Sequence, residues 1–384
     1  MQPHKTVVIG ASGLVAQRMQ QRLSNHPWFT LNAVIGSKRT SGQMLDSIPW
    51  RLEENRPDLP NLEILNGQDE RLIEQLRDCG ITVAFSCVPS GVADPLELTL
   101  AEAGIAVFSN SSAFRRIDGV PLVIPDLNAN HLSHFGTHEY LLACATNCTL
   151  IPLAVPTAVI AKSFGVKRVK MNSEQALSGA GFDLLLDERA LAGGHAPEIA
   201  GEAEKTAQEL LHVLGTPIKE QRANSSDART HPKFETAPVH VVPADLDVEI
   251  ECKRVTRKDG HQIFATLTLE TDTTLEEVRN CLMAHKFPNQ LKACPSAPKK
   301  AIHFVEKIDV DRHLWSDGED FLTNPDPSHN LKTGMAVVVG HLQMLDSRTI
   351  ELSAYSHNTI RGAAGGTMLL AEQAYLEQRL PKQQ

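Results

Sequence analysis

A glycine-rich turn near the start of the chain constrains the fold most strongly. Residues 6–9 (TVVI) form a β-branched run, GASGLVA begins at Gly10, and a helix-like stretch follows it. A strand, a glycine turn and a helix in this order are typical of the first unit of a doubly wound dinucleotide-binding sheet, where the helix N-terminus receives a pyrophosphate. Gly10 and Gly13 occupy two positions of the glycine fingerprint, and Ala16 replaces the third. The pattern favours dinucleotide binding, with a purely structural turn as the alternative.

The segment after the next strand-like run indicates which dinucleotide is bound. Residues 31–35 lead directly into residues 36–42 (GSKRTSG). A sheet that binds NAD would place Asp or Glu here to hold the ribose hydroxyls. Ser37 and Arg39 instead lie in a segment with two cations and no acid, which suits the additional 2′-phosphate of NADP. A solvated basic turn is the alternative interpretation.

Strand–helix alternation continues beyond this turn, and polar segments follow the strands. Residues 81–88 and 105–108 are strand-like; Ser90 follows the first of these runs, and the segment SNSSAFRR, which includes Arg115, follows the second. Doubly wound sheets bind ligands at the carboxyl ends of their strands, and arginine pairs well with phosphate oxygens. These segments are candidate anion sites, although each residue alone also fits an exposed polar loop.

Cys148 is the candidate nucleophile. It lies at a polar corner within residues 141–159, between an apolar strand-like run and a run of small, apolar, helix-like residues. Unpaired N–H groups at a helix N-terminus favour an anion and lower the pKa of a nearby thiol. We therefore expect a thiolate near neutral pH, with an inert buried cysteine as the alternative. Pro156 falls inside the helix-like run and predicts a short or kinked helix.

The second half of the chain has longer strands and helices, which predicts a second domain. One strand-like run ends at a flexible loop that carries Gln175. Residues 198–214 resemble a helix on which Glu202 and Lys205, three residues apart, share a face. A last helix over residues 362–378 begins with small residues that permit close packing, and we expect it to return to the first domain.

Composition and charge exclude several classes of protein. The 384 residues are 42% hydrophobic and 22% charged, as in an ordinary two-domain globular protein. A formal charge of -9 disfavours binding to nucleic acids or acidic membranes, and no apolar stretch is long enough to span a bilayer. The seven cysteines show no disulfide framework, and a strand-like run directly after MQPHK leaves no room for a signal peptide. We expect a cytoplasmic protein.

Three histidines have spacings that a metal ion could use. His131, His134 and His138 lie close together, but no cysteine or carboxylate cluster accompanies them. We expect no metal site.

Taken together, the motifs resemble the aspartate-semialdehyde dehydrogenase family, especially its archaeal and fungal branch. The resemblance covers nearly the whole chain and rests on ordered segments: GASGLV, HPWF, SKRTSG, SNSSAFR, VPLVIPDLN, NC, QALSGAG, GEAEK, RV…GH and SHNTIRGAAGG. It implies an α/β fold with a Rossmann-type NADP-binding domain (residues 1–147 and 359–384). Residues 148–358 would then form an α+β catalytic and dimerisation domain of the glyceraldehyde-3-phosphate dehydrogenase-like kind.

The resemblance also implies roles for individual residues. The catalytic residues would be the nucleophile Cys148, the acid–base residue His261, and Gln175, which orients the acyl group. The implied substrate ligands are Arg115 and Lys205 for phosphate, Glu202 for the amino group, Arg254 for the carboxylate, and Asn147. The implied cofactor ligands are Gly10, Ser12, Gly13, Leu14, Val15, Ser37, Arg39, Ser90, Ser178, Gly179 and Asn358, the last near the nicotinamide.

The implied activity is NADP-dependent reductive dephosphorylation of L-aspartyl 4-phosphate through a Cys148 thioester, a step in lysine, threonine and methionine biosynthesis, by a homodimer or homotetramer. Arg257 and His341 depart from the family pattern and could adapt the pocket to another acyl substrate. The alternatives are therefore a reductase of another acyl phosphate or of an acyl-CoA, as in malonyl-CoA reductase, and a non-catalytic paralogue.

Overall fold

A parallel six-stranded sheet forms the first half of the protein. The computed structural model describes residues 2–136, 139–219 and 229–383. The strands of this sheet are β1 (His4–Ile9), β2 (Phe29–Gly36), β3 (Ile64–Asn66), β4 (Val83–Ser86), β5 (Ala106–Ser109) and β6 (Leu142–Cys144). The associated helices are α1 (Leu14–Leu23), α2 (Leu72–Asp78), α3 (Ser90–Glu102) and α4 (Pro125–Asn128). The strand order β3-β2-β1-β4-β5-β6 is that of a doubly wound dinucleotide-binding sheet, so this part of the predicted fold is confirmed.

A second, mixed sheet forms most of the remainder. The strands that follow are β7 (Val166–Gln175), β8 (Thr216–Ile218), β9 (His240–Val242), β10 (Asp247–Arg254), β11 (His261–Leu269), β12 (Ile302–Phe304), β13 (Val337–Asp346) and β14 (Thr349–Ser356). Strands β8 and β9 pair as a small ribbon, and the other six form a sheet in the order β10-β7-β11-β14-β13-β12. The helices of this half and the C-terminus are α5 (Leu150–Phe164), α6 (Phe182–Leu185), α7 (Glu188–Leu191), α8 (Glu202–Val213), α9 (Leu275–Ala284) and α10 (Gly365–Leu376).

One face of the second sheet is covered by α5, α8 and α9, whereas the other is open in the single chain. Along β7, Val169 and Met171 are buried and alternate with exposed Lys170, as expected for a strand with one covered face. The open face carries ion pairs such as Lys170–Glu249, at 2.8 Å, and the exposed ring of Phe264.

Helix α10 returns to the first sheet. Met368 and Ala371 are buried in the same apolar cluster as Val8 and Phe85 of that sheet. The helix begins at Gly365, because residues Ile360–Ala364 form a π-helical turn ahead of it. The start predicted at residue 362 was therefore three residues early.

Two other helices also differ from the prediction. Helix α5 is 15 residues long and includes Pro156, so the expectation of a short helix is wrong. Proline's fixed φ is helical, and the nearly complete burial of α5 offsets the missing hydrogen bond. Helix α8 begins at Glu202 rather than at residue 198, because Gly201 has a φ of +68° and cannot continue a right-handed helix. Among the helices that the structure describes, none is both long and apolar enough to cross a bilayer.

Candidate active site

Three of the predicted site residues meet at one edge of the second sheet. Gln175 ends β7, Arg254 ends the parallel strand β10, and the register pairs these two residues. Strand β11 runs antiparallel to β7, with Gln262 opposite Glu174, so His261 begins its strand at the same edge. The sheet therefore brings together residues that are up to 86 positions apart in sequence, between Gln175 and His261 (261 − 175 = 86).

The backbone of Ala176 forms hydrogen bonds with two of these side chains. Its carbonyl oxygen accepts a hydrogen bond from Nη1 of Arg254 at 2.7 Å, and its N–H donates to Nδ1 of His261 at 3.1 Å. An imidazole whose Nδ1 accepts a hydrogen bond carries its hydrogen on Nε2. That Nε2 atom is buried and has no hydrogen-bond partner among the described residues. Burial and the nearby charge of Arg254 lower the pKa of His261 to about 3, so the ring is neutral at physiological pH.

Two glycines fit tightly against this site. A Cβ atom on Gly179 would lie 2.7 Å from Nη1 of Arg254 and 3.1 Å from Nε2 of His261. A Cβ on Gly362 would lie 2.7 Å from Cβ of Cys148. Any side chain at either position would displace a predicted catalytic or binding group. Gly362 belongs to the GAAGG segment, but the sequence did not predict it as a site residue.

Cys148 lies where the sequence predicted, but its predicted ionisation is wrong. The half-buried thiol sits between β6 and α5, two residues before the helix. Burial and the negative charge of Glu202 raise the pKa of Cys148 to about 12, against the opposing effect of Arg115 and Arg254. Desolvation of the charged form outweighs the helix N-terminus, so the thiol keeps its proton at neutral pH in this structure.

Asn147, predicted as a substrate ligand, has its polar groups occupied by the protein. Its backbone N–H donates to Oε2 of Glu209 at 2.7 Å, and its side-chain Nδ2 donates to Oε1 of Glu202 at 2.9 Å and to Oγ1 of Thr206 at 3.2 Å. Its Oδ1 accepts from the N–H of Thr149 at 2.7 Å. With both amide hydrogens used, Asn147 fixes the turn that precedes Cys148.

The predicted phosphate ligands lie beside this turn. Nη1 of Arg115 is 3.5 Å from Oε1 of Glu209, and its Nη2 donates to the carbonyl oxygen of Asn110. Lys205 is half-buried on α8 and forms no ion pair with the residues that the structure describes. Glu209, which contacts both Asn147 and Arg115, was missed by the sequence analysis. Its spacing of seven from Glu202 places both on one face of the helix, which is the signal that could have found it.

The glycine turn of the first sheet has the geometry of a dinucleotide cradle. Gly10 has a φ of +103°, and a Cβ atom there would lie 3.0 Å from the carbonyl oxygen of Cys87. Gly13 donates its N–H to the carbonyl oxygen of Gly10 at 3.0 Å and directly precedes α1. Ser12 lies in the turn, while Leu14 and Val15 form the first helical residues. Such a turn lets a pyrophosphate approach the backbone and helix N-terminus closely.

The loop after β2 is suited to a further anion. Ser37, Lys38 and Arg39 are exposed in a tight turn in which the N–H of Thr40 donates to the carbonyl oxygen of Ser37. Arg39 forms no ion pair with any described carboxylate. Its guanidinium is therefore available to an anionic ligand, as the 2′-phosphate interpretation requires.

The remaining predicted cofactor ligands lie near both sheets. Ser90 is exposed at the start of α3, just beyond β4. Nδ2 of Asn358 donates to Oγ of Ser178 at 2.8 Å, and its Oδ1 accepts from the N–H of Gly260 at 2.8 Å. Asn358 thus joins the turn that contains Gly179 to the loop that leads into His261.

The same order of elements occurs in known proteins. A family model described as semialdehyde dehydrogenase, NAD binding domain, matches residues 5–135. An aspartate-semialdehyde dehydrogenase from Trichophyton rubrum is 31% identical over 386 residues, which cover 96% of each chain. The chain belongs to the aspartate-semialdehyde dehydrogenase family.

Two further comparisons extend this result. The crystal structure of aspartate semialdehyde dehydrogenase with NADP from Candida albicans has a TM-score of 0.77 and 26% identity, and covers 98% of this chain and 100% of that one. It confirms the predicted two-part α/β fold. A malonyl CoA reductase (NADP) from Metallosphaera sedula is 27% identical over 98% of this chain and 99% of its own length.

The two departures from the aspartate-semialdehyde dehydrogenase pattern have structural explanations. Arg257 donates to the carbonyl oxygen of Gly260 at 3.1 Å and pairs with Glu174 at 3.2 Å, so it stabilises the loop before His261. His341 is exposed, with a φ of +52°, at an irregularity in the pairing of β13 with β14. Among the described residues, no hydrogen bond or ion pair joins either side chain to Cys148, and the charge of Arg257 contributes to lowering the pKa of His261.

The predicted histidine group contains no metal cluster within the described part of the chain. No group of three or more His, Cys, Asp or Glu side chains there is arranged to hold a metal ion. The rings of His131 and His212 instead pack edge-to-face, 5.9 Å between centroids. His138 lies outside the described residues.

Proposed function

We propose that this protein catalyses the NADP-dependent reductive dephosphorylation of L-aspartyl 4-phosphate to L-aspartate 4-semialdehyde. The observation that carries the proposal is that Arg254 and His261 share one sheet edge, and that the charges of both Arg254 and Arg115 act on Cys148. A substrate with a carboxylate at one end and an acyl phosphate at the other would meet an arginine at each end and a thiol between them.

The first half-reaction transfers the acyl group to Cys148. The sulfur forms a bond to the acyl carbon, the bond from carbon to the phosphate oxygen breaks, and the departing phosphate takes up the thiol proton. His261 cannot accept that proton at Nε2 while this atom already carries a hydrogen. Arg115 and Lys205 would stabilise the charge of the departing phosphate, and Gln175 would hold the acyl oxygen.

The second half-reaction releases the aldehyde from the sulfur. Bound NADPH supplies the hydride that reduces the acyl carbon. A substrate carboxylate on Arg254 would cancel part of the positive charge that lowers the pKa of His261 in this structure. The ring would then take up a proton from solvent at Nδ1 more readily, with loss of the hydrogen bond from the Ala176 N–H, and pass the proton on Nε2 to the departing sulfur, which is the acid role predicted for it.

The cofactor would be held by the first sheet. The turn containing Gly10, Ser12 and Gly13 fits a pyrophosphate, and Ser37 and Arg39 fit a 2′-phosphate. Residues 1–147 with 359–384 would form the cofactor-binding domain, and residues 148–358 the catalytic domain. The return of α10 to the first sheet supports this division.

The open face of the second sheet would join subunits in a homodimer or homotetramer. Its exposed Phe264 ring and its paired charges suit burial against a second copy. We further propose a cytoplasmic location, in keeping with a role in amino-acid biosynthesis.

The test is an assay of the reverse reaction with purified protein. We expect NADPH to form from aspartate semialdehyde, NADP and phosphate, and much less to form from succinate or malonate semialdehyde. Preference for another semialdehyde, or activity that does not require phosphate, would contradict the proposal.

A second candidate is reduction of an acyl-CoA thioester such as malonyl-CoA. It is favoured by the similarity to the Metallosphaera sedula reductase over nearly the whole chain. Oxidation of NADPH by malonyl-CoA in the same preparation, without activity on aspartate semialdehyde and phosphate, would select it.

A further inference from the structure

One face of α8 holds the turn that precedes the nucleophile. Glu202, Thr206 and Glu209 are spaced by four and three residues, so they share a face of the helix. All three accept hydrogen bonds from Asn147, two from its side chain and one from its backbone N–H. Glu209 is the more buried of the two acids, with 1% of its surface exposed.

The two oxygens of Glu209 reach two different parts of the site. Oε2 accepts the N–H of Asn147 at 2.7 Å, one residue before Cys148, and Oε1 lies 3.5 Å from Nη1 of Arg115. A buried carboxylate is costly unless it is paired and hydrogen-bonded. Burial raises the pKa of Glu209, and Arg115 and the Asn147 N–H oppose that rise by stabilising the carboxylate.

We propose that Glu209 is a positioning residue that places the Cys148 turn and the phosphate-binding Arg115 relative to each other. The inference rests on the proposed function, in which Cys148 is the nucleophile and Arg115 binds phosphate. Because one carboxylate holds both groups, a shift of either would disturb the other. The charge of Glu209 also lies close to the phosphate site and weakens phosphate binding there, which favours release of this product.

Two substitutions separate the geometry of Glu209 from its charge. Glu209→Asp keeps the charge but shortens the side chain by one methylene, so it cannot reach both partners. Glu209→Gln keeps the length and an oxygen that accepts the Asn147 N–H, but it removes the charge and turns an amide NH2 group toward Arg115, which is then held by the carbonyl oxygen of Asn110. Glu204→Gln is the matched control, because Glu204 is exposed on the same helix and bonds only to Gln208 in the described structure.

The experiment measures kcat, and the phosphate concentration that half-protects Cys148 from alkylation by iodoacetamide. We expect Glu209→Asp to lower kcat at least about tenfold, because small misplacements of reacting groups are costly, and to leave phosphate protection nearly unchanged. We expect Glu209→Gln to keep kcat within about threefold and to lower the half-protecting phosphate concentration about tenfold. The Glu204→Gln control should match the wild type in both measurements.

If Glu209 had a purely structural role, both variants would have a lower melting temperature. They would not differ in which of the two measurements, kcat or phosphate protection, they change. Wild-type kcat in Glu209→Asp, or unchanged phosphate protection in Glu209→Gln, would overturn the proposal. If Glu209→Asp does not fold, phosphate protection in Glu209→Gln decides alone. Phosphate protection needs no turnover, so it separates failure of this inference from failure of the proposed reaction, which would appear as an inactive wild-type protein.

Discussion

The cofactor-binding edge and the Cys148 turn are built in different ways. At the cofactor edge, residues close together in sequence, such as Gly10 and Gly13, shape a backbone turn, and exposed side chains such as Arg39 face solvent. Around Cys148, the contacts are between buried side chains from separate elements, such as Glu209 on α8. The comparison teaches that a short motif can define a cradle, whereas the chemistry of a nucleophile depends on burial and distant partners.

The largest effect is expected from removal of the nucleophile. Cys148→Ser should lower phosphate-dependent oxidation of aspartate semialdehyde by about 10⁴-fold or more, since serine forms no thioester. NADP affinity, measured by fluorescence titration, should change little because the cofactor edge is separate. Cys79→Ser is the control and should retain activity. Unchanged turnover in Cys148→Ser would refute the assignment of the nucleophile.

The two tight glycines should be nearly as sensitive. Gly362→Ala would push a methyl group against Cβ of Cys148, and Gly179→Ala one against His261 and Arg254. We expect each to lower kcat about 10²-fold through misplacement of the reacting groups. Gly91→Ala is the control, because a Cβ there meets no atom within 4 Å. A Gly362→Ala enzyme with wild-type kcat would show that the Cys148 turn is less tightly packed than described.

At the cofactor edge, the effect should be confined to one ligand. Arg39→Ala should raise the Kd of NADP by about 10- to 100-fold, the loss of a charge-assisted contact, while the Kd of NAD changes little. Isothermal titration with both nucleotides measures the difference. Equal losses for the two nucleotides would reject a 2′-phosphate contact for Arg39.

The smallest effect concerns the ionisation of the thiol. Glu202 raises the pKa of Cys148, so Glu202→Gln should lower that pKa and increase the thiolate fraction at any pH below it. Alkylation by iodoacetamide at pH 8 should then be faster, by about tenfold or less. Glu204→Gln should alkylate at the wild-type rate. A slower reaction in Glu202→Gln would mean that the helix N-terminus, and not burial with Glu202, controls the thiol.

Local sequence signals predicted the strands and the glycine turn of the first sheet well. The strand, glycine turn and helix around Gly10 are adjacent in sequence, so their pattern contains most of the information. The site residues at the edge of the second sheet could not be predicted from local sequence signals. Gln175, Arg254 and His261 were assigned only through a family resemblance, because strand register brings them together and periodicity does not reveal register.

The ionisation of Cys148 and the contacts of Asn147 could not be predicted from the sequence for the same reason. The sequence predicted a thiolate at Cys148 from its place before a helix, but the environment of the sulfur depends on Glu202, 54 residues away (202 − 148 = 54). Asn147 was assigned as a substrate ligand through the family resemblance, and in the structure its side-chain donors bond to Glu202 and Thr206 of α8. Burial and long-range partners decide both cases, and neither is encoded in a short motif.

The most direct test of the catalytic assignment is a single turnover in the absence of phosphate. Aspartate semialdehyde and NADP should give a burst of about one NADPH per subunit, with the acyl group attached to Cys148 in the peptide mass spectrum and released on addition of phosphate. Absence of the burst in a protein that is active with phosphate, or an acyl group on any other residue, would contradict the account.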